Sequence, residues 1–114
     1  MYFSVEDFYE SIDHKRIFNL DAKRETKSSY VYRSGSVYEG QWKGGFRDGF
    51  GTQIWPDGAS YKGDWVLGKA HGIGQFQYPS GDIYEGEWRY NKANGNGSYK
   101  HQNGAVYKGQ WKND

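Results

Sequence analysis

Short stretches in which aromatic residues and glycines alternate with polar residues recur along most of the chain. Side chains two positions apart in a β-strand share a face. Tyr38, Gly40 and Trp42 would therefore lie on one face, with Glu39 and Gln41 on the other. Glycine-rich turns bound each stretch, as expected for short strands in hairpins. The pattern predicts an all-β fold with one aromatic and one polar face.

The alternating stretches form a repeat of 23 residues without insertions. Periods of this length are the signature of architectures in which each unit packs on its neighbours. The motif Tyr-x-Gly-x-Trp begins at Tyr38, Tyr61, Tyr84 and Tyr107. A Gly-x-Gly motif and a turn ending in glycine keep the same spacing, at Gly49, Gly72 and Gly95 and at Gly35, Gly58, Gly81 and Gly104. Glycine in that turn is expected to take the left-handed conformation.

These positions divide the chain into an N-terminal region without the repeat, residues 1–27, and a repeat array, residues 28–114. The predicted fold is all-β, a ribbon of β-hairpins with a short N-terminal helix. The array comprises a half-repeat 28–37, repeats 38–60, 61–83 and 84–106, and a partial repeat 107–114. Tight hairpins are predicted over 30–42, 51–65, 74–88 and 97–111, and wider connections over 43–50, 66–73 and 89–96.

The aromatic face is the candidate binding surface. A single-layer sheet has no second layer to cover that face, and an exposed apolar surface of this size marks a binding site. Tyrosine hydroxyls and tryptophan N–H groups are expected to orient a ligand there, although the rings could instead form only the core. The candidate groove residues are Tyr38, Trp42, Trp55, Tyr61, Trp65, Phe76, Tyr78, Tyr84, Trp88, Tyr99, Tyr107 and Trp111, and Tyr30 and Tyr32 continue the face upstream.

Glycines between the rings are expected to leave room for the aromatic side chains to lie on the backbone. The opposite face is predicted to be mainly polar and charged, apart from Phe50, Ile54, Val66 and Ile73. The structural glycines are Gly40, Gly49, Gly51, Gly63, Gly72, Gly74, Gly86, Gly95, Gly97 and Gly109.

The first residues predict a short amphipathic helix. Residues 4–7 have the form of a helix capping box, which indicates a helix over 4–13 with a possible extension to Phe18. Its apolar positions at helical spacing are Val5, Phe8, Tyr9 and Ile12. The helix would cap the first strand, lie in the groove of its own chain, or attach to another protein.

Composition narrows the function classes. Hydrophobic residues make up only 35% of the chain and aromatic residues 19%, so aromatic rings must provide most of the core. Without cysteine, disulfides and thiolate catalysis are excluded. The net charge of +1 lacks the basic footprint of a nucleic-acid binder. His14, His71 and His101 lack metal-ligand spacing. We therefore expect no catalytic residues, no metal and no cofactor.

The charged face bears on membrane binding. Anionic-lipid binding usually requires clustered Lys and Arg, whereas residues 28–114 hold ten basic and eight acidic residues of mixed placement. This balance disfavours a lipid surface as the main partner. The sequence shows no long apolar stretch and no export signal, so the expected location is cytoplasmic.

The 23-residue repeat resembles that of the MORN (membrane occupation and recognition nexus) family, whose motif runs approximately Tyr-Glu-Gly-x-Trp-x-x-Gly-x-x-x-Gly-x-Gly. The first repeat matches through Gly45, Gly49 and Gly51. Lys62 replaces the glutamate in the second repeat, and Asn91 replaces a glycine in the third. The resemblance implies an elongated, single-layer, twisted antiparallel ribbon with an aromatic groove on one face. That groove is expected to dock helical or extended segments of partner proteins in cytoskeletal, ciliary or axonemal assemblies.

The expected function is therefore a non-catalytic scaffold or adaptor module. The alternatives are a peripheral module for phosphoinositide or phosphatidic acid and a regulatory repeat fragment of a larger enzyme. A third is a hairpin repeat similar to bacterial choline- or glucan-binding repeats, although the register differs. The last strand, 106–111, could also pair edge-to-edge with a second copy to form a homodimer.

Overall fold

The computed structural model describes residues 2–15 and 23–113, with the side chains of 13–15 left out. Within these residues, one helix precedes eight strands. Their bounds are α1 Val5–Lys15, β1 Arg24–Val31, β2 Val37–Lys43, β3 Phe46–Ile54, β4 Ser60–Val66, β5 Lys69–Gln77, β6 Ile83–Arg89, β7 Lys92–Lys100 and β8 Val106–Trp111.

The strands form one open sheet in sequence order from β1 to β8, and every neighbouring pair is antiparallel. This architecture confirms the predicted all-β ribbon with a short N-terminal helix. In the part of the chain that the structure describes, no helix has the length and apolarity needed to cross a membrane.

The five-residue loops 32–36, 55–59, 78–82 and 101–105 share one hydrogen-bonding pattern. In the second loop, the Trp55 N–H donates to the Ala59 carbonyl and the Gly58 N–H donates to the Trp55 carbonyl, both at 2.9 Å. Gly58 has a φ of 94°, in the left-handed region that favours glycine. The predicted conformation of the turn glycines is therefore confirmed.

The predicted wider connections are wrong. β2 and β3 are joined by a two-residue turn at 44–45, and the equivalent turns lie at 67–68 and 90–91. Leu67 and Tyr90 have φ values of 46° and 48°, and Asn91 has 70°. Two-residue hairpin turns favour positive φ, for which Asn-Gly is the usual sequence signal. Leu67 and Tyr90 lack that signal. The glycines farther along, Gly72 and Gly95, therefore led to the prediction of longer loops.

Those glycines belong to bulges inside the strands. Strands β4 and β5 pair at Gly63–Gly74 and again at Trp65–Ala70. Between these two pairs β4 has one residue, Asp64, whereas β5 has three, residues 71–73. The Asp64 carboxylate accepts a 3.0 Å hydrogen bond from the Ile73 N–H in this bulge. At Gly72, φ is 120° and a methyl group would lie 2.8 Å from that carboxylate. Glycine is therefore required there, and Gly49 and Gly95 occupy equivalent positions against Gln41 and Glu87.

The aromatic face is the core of the molecule. Tyr38, Tyr61 and Trp65 are buried on it, whereas Phe50 and Ile73 on the other face are exposed. Ile54 and Val66 are also exposed. The predicted assignment of the two faces is confirmed.

Helix α1 packs against β3. The Asp7 N–H donates to the Ser4 hydroxyl at 3.1 Å, so the predicted N-terminal cap is present. The helix begins and ends one and two residues later than predicted, and the suggested extension to Phe18 lies outside the described residues.

The predicted apolar face of α1 is wrong in part. Val5 and Tyr9 are 63% and 53% exposed, whereas Asp7, Ser11 and Ile12 are buried. The physical reason is that the sheet surface beneath the helix contains polar groups, which the polar side chains of α1 match.

Candidate functional site

The first-strand rings of each repeat fold back onto their own sheet. A methyl group at Gly74 would lie 2.5 Å from ring carbons of Tyr61. The Tyr61 hydroxyl donates to the Asp64 carbonyl at 2.8 Å, and the indole N–H of Trp65 donates to the Gly51 carbonyl at 3.1 Å. Burial raises the pKa of the Tyr61 hydroxyl. The equivalent bonds run from Tyr38 to Gln41, from Tyr84 to Glu87 and from Trp88 to Gly74.

These bonds correct one expectation. The hydroxyls of Tyr38, Tyr61 and Tyr84 and the indole N–H groups of Trp65 and Trp88 donate to main-chain carbonyls of the sheet. These donors are therefore used within the sheet and are not offered to a ligand. These rings form the apolar floor of a groove, and its polar anchors come from other residues.

Phe3 fills the centre of the groove. Its ring centroid lies 5.2 Å from that of Trp55, 5.6 Å from that of Tyr61 and 5.8 Å from those of Trp65 and Trp88. These contacts are edge-to-face arrangements, which aromatic pairs favour. A fifth ring, Phe76, lies 6.0 Å away. Phe3 is 8% exposed and belongs to the same buried cluster as the rings of the sheet.

Tyr2 extends this contact along the groove. Its ring centroid lies 5.2 Å from Trp55 and 5.0 Å from Phe76. The Trp55 indole N–H donates a 2.8 Å hydrogen bond to the Tyr2 carbonyl. The Tyr2 hydroxyl donates to Asp57 at 2.6 Å, which raises the pKa of Tyr2 to about 12 and lowers that of Asp57. Trp55 is therefore a polar anchor as well as an apolar wall.

Farther along α1, Asp7 meets a polar cluster. Its carboxylate accepts a hydrogen bond from the Gln53 amide at 3.3 Å and another from the Ser34 hydroxyl at 2.9 Å. The side-chain oxygen of Gln53, Oε1, in turn accepts a short hydrogen bond from the Arg47 guanidinium. Arg47 also donates to the Gly68 carbonyl at 3.0 Å. We call Arg47 and Gln53 the acidic subsite, meaning the place that receives an acidic side chain. Gln53 contacts the Asp7 carboxylate directly, and Arg47 is linked to it through Gln53.

Arg47 is an unusual residue for a sheet core. It is 2% exposed, and its guanidinium lies 4.7 Å from the ring centroid of Trp65 and 5.5 Å from that of Tyr32. Burial lowers its pKa, and the charge of Asp7 opposes that shift. These ring contacts are cation–π interactions, which partly offset desolvation.

Tyr30 of β1 and Tyr32, the first residue of the following loop, bind the next turn of the helix. The Tyr32 hydroxyl and the Ser11 hydroxyl share a short hydrogen bond. The Tyr30 hydroxyl donates to Glu10 at 2.7 Å, and the Arg33 N–H donates to the same carboxylate at 3.0 Å. Burial and this bond raise the pKa of Tyr30 to about 12. Residues 2–12, hereafter the N-terminal segment, are thus attached along the groove by rings, main chain and polar side chains.

The remaining predicted groove residues lie to either side of this contact. Trp42 packs on Tyr38, with ring centroids 4.8 Å apart. Toward β8, Tyr84 and Tyr99 contact Trp111, and Tyr78 lies 6.4 Å from Tyr2. Tyr99 and Trp111 are partly buried, and Tyr107 is 60% exposed. The groove is therefore more open toward β8 than at its centre.

The predicted glycines align across the sheet. Gly40, Gly63 and Gly86 pair with Gly51, Gly74 and Gly97 across each hairpin. Gly109 of β8 pairs with Gly97 on one side, and a methyl group there would meet nothing within 4 Å. Among the described residues, no group of three or more His, Asp or Glu side chains could hold a metal ion.

Sequence reasoning missed Arg47 and Gln53 as site residues, although the repeat contains the signal. The positions equivalent to Arg47 are Ala70 and Ala93, which pair with Trp65 and Trp88 as Arg47 pairs with Trp42. The positions equivalent to Gln53 are Phe76 and Tyr99. The first repeat therefore departs from the others where it meets α1.

The fold and the groove define a single-layer hairpin-repeat module. The family model for the MORN repeat matches residues 38–60, 61–83, 84–106 and 107–114. The chain belongs to the MORN repeat family, which is consistent with a module for protein or lipid interaction. A search of curated proteins found no match.

Proposed function

We propose that the aromatic groove docks a segment of a partner protein, so that the chain acts as a scaffold or adaptor module. One observation carries the proposal: the groove already holds a peptide segment. The N-terminal segment uses an aromatic pair, a main-chain hydrogen bond to Trp55 and an amphipathic helix. Docking of an amphipathic helix in an apolar groove is a common mode of peptide recognition.

The module is proposed to be non-catalytic and cytoplasmic, within a cytoskeletal or ciliary assembly. The setting rests on what the family resemblance implies. The absence of a catalytic role is supported by the way the groove polar atoms are used, because the hydroxyls of Tyr38, Tyr61 and Tyr84 bond to the sheet itself.

Site-specific photocrosslinking tests the proposal on the full chain. A photoreactive phenylalanine at Tyr99, in the open part of the groove, is compared with one at Phe50 on the opposite face. We expect adducts with one defined helical or extended partner segment from position 99 and few from position 50. Adducts from position 50 alone, or equal adducts from both positions, would overturn the proposal. The Trp65 and Trp88 positions are unsuitable because both are buried and bonded to the sheet.

Lipid binding is the alternative function. Vesicles containing phosphatidic acid or a phosphoinositide test it by sedimentation with the wild-type chain. Sedimentation of the chain with these vesicles, but not with vesicles of neutral lipid, would favour a lipid surface over peptide docking.

A homodimer through β8 is a second proposed interaction. Gly109 keeps the repeat glycine, whereas a methyl group at the equivalent Gly63 would contact the Ile73 carbonyl of the next strand at 2.5 Å. A strand from a second copy against the free edge of β8 would give Gly109 a similar neighbour. Light scattering that shows a monomer at high concentration would reject this dimer.

A further inference from the structure

The two residues of the acidic subsite are expensive to bury and depart from the repeat. Arg47 is a cation in the core, and within the described residues its Nε has no hydrogen-bond partner. A buried charge is strongly unfavourable unless other groups compensate for lost hydration. The compensation here is a chain of contacts from Arg47 through Gln53 to the Asp7 carboxylate. The subsite therefore complements a negative group on whatever segment covers it.

The position of the carboxylate relative to the helix is well defined. Ser4 is the N-cap residue, Phe3 precedes it, and Asp7 is the third residue after it. An aromatic side chain before the cap reaches the five-ring pocket, while an aspartate in the first turn reaches Gln53 and Ser34. A negative charge in the first turn also interacts favourably with the helix dipole.

We infer that the groove, from the half-repeat to the start of the third repeat, recognises a helix start of the pattern aromatic, Ser or Thr, two residues of any type, and Asp. The N-terminal segment is a resident copy of this ligand, and a partner helix of the same chemistry binds the same place when the segment leaves it. This inference rests on the proposed function and adds the chemical class of the partner segment. The occupant is an acidic amphipathic helix, because the site that it covers contains a buried cation.

Tethering affects how the site must be tested. A segment joined by a short linker has an effective local concentration of about 1 mM. A free peptide must exceed that concentration to displace it, so it competes poorly. The Phe3→Ala substitution in the full chain removes the ring that fills the pocket. A fluorescent peptide of residues 2–15 should then bind at least tenfold more tightly to the variant than to the wild-type chain.

The peptide variants test the recognition of aspartate. Asp7→Asn in the peptide removes the charge next to the acidic subsite and should weaken binding about tenfold. Glu6→Gln is the matched control, because it removes the same charge from an exposed neighbour of Asp7 and should change affinity less than twofold. Phe3→Ala in the peptide should abolish measurable binding. In a chain that carries Arg47→Met as well, the native and Asp7→Asn peptides should bind alike.

Each outcome decides the inference. If the native, Asp7→Asn and Glu6→Gln peptides bind equally, the groove docks peptides but does not recognise the aspartate, and the inference fails while the proposed function stands. If Asp7→Asn and Glu6→Gln weaken binding equally, the effect is general electrostatics and the inference fails. Should the Phe3→Ala chain not fold, the full-chain Asp7→Asn variant replaces it. If no peptide binds either variant, the N-terminal segment is a fixed part of the core and the inference is overturned, whereas the crosslinking experiment judges the proposed function separately.

Discussion

The indole N–H of Trp55 lies 2.8 Å from the main-chain carbonyl oxygen of Tyr2 and donates a hydrogen bond to it. This bond recognises the backbone of the N-terminal segment and is independent of its side chains. Specificity must come from other contacts, chiefly the pocket around Phe3 and the acidic subsite that faces Asp7.

Trp55→Phe is expected to loosen the N-terminal segment and leave the ribbon intact. The substitution keeps a ring beside Phe3 and removes one donor, at a cost of about 1 kcal/mol. Limited proteolysis should cleave the segment roughly fivefold faster, since that energy corresponds to about a factor of five. Trp88→Phe is the control, because its N–H bonds to the Gly74 carbonyl within the sheet. An unchanged cleavage rate for Trp55→Phe would contradict the anchoring role.

Gly74→Ala is expected to destabilise the whole ribbon. A methyl group there would lie 2.5 Å from Tyr61 ring carbons that are held over the backbone. Overpacking of this kind costs about 1–3 kcal/mol. Gly109→Ala is the matched control, since a methyl group there would meet nothing within 4 Å. Urea unfolding of both variants measures the difference, and equal stabilities would show that the tyrosine moves aside at no cost.

Asp7 and Gln53 should be energetically coupled. Asp7→Ala leaves the Gln53 amide and the Ser34 hydroxyl without their acceptor and should cost about 2 kcal/mol. A double-mutant cycle with Gln53→Ala should give a coupling energy of about 1 kcal/mol. The exposed Glu6→Ala should stay within about 0.5 kcal/mol of the wild-type chain. Additive effects of Asp7→Ala and Gln53→Ala would mean that Asp7 is not energetically coupled to the acidic subsite.

Alkaline pH should weaken the attachment of the helix. Burial and the bond to Glu10 raise the pKa of Tyr30 to about 12. Because the folded pKa is above the usual value of about 10, the stabilisation is complete below roughly pH 10. It is lost as the pH rises through about 12. Urea unfolding at pH 9, 10 and 11 should show falling stability, with a shallower decline for Tyr30→Phe. Identical declines would assign the effect to other tyrosines.

The turn at Leu67 offers a stabilising substitution. Its φ of 46° is uncommon for a residue other than glycine, but asparagine tolerates it. Leu67→Asn should raise the free energy of unfolding by about 0.5 kcal/mol, and the β-branched Leu67→Ile should lower it by about 1 kcal/mol. Thermal unfolding separates the two variants. A lower melting temperature for Leu67→Asn would show that the leucine side chain contributes more than its backbone costs.

Much of the ribbon is predictable because its determinants are local and repeated. The period of 23 residues and the alternation within each strand place Tyr61 and Trp65 on one face and Ile73 on the other, as the structure shows. The turns at 67–68 and 90–91 were harder to predict from the sequence. Leu67 and Tyr90 adopt positive φ there, although glycine and asparagine are the residues usually found in that conformation. There the pairing of the flanking strands outweighs the local preference of the residue.

The position of the N-terminal helix depends on contacts between residues far apart in the chain, and periodicity contains little information about it. Apolar spacing predicted that Val5 and Tyr9 would face the protein, yet both are exposed. Asp7 is buried instead because Gln53 lies opposite it, 46 positions away. The departure of Arg47 and Gln53 from their repeat equivalents was the available signal, and it becomes interpretable once the helix is placed.

A repeating surface has translational symmetry, and symmetry creates ambiguity. A ligand that contacted only the rings would find similar binding positions at every second strand, about 9.6 Å apart at the usual strand spacing. In one repeat, arginine replaces the alanine and glutamine replaces the aromatic residue of the others, which distinguishes that binding position from the rest. One arginine and one glutamine thus make a single position on an otherwise uniform surface different from all the others.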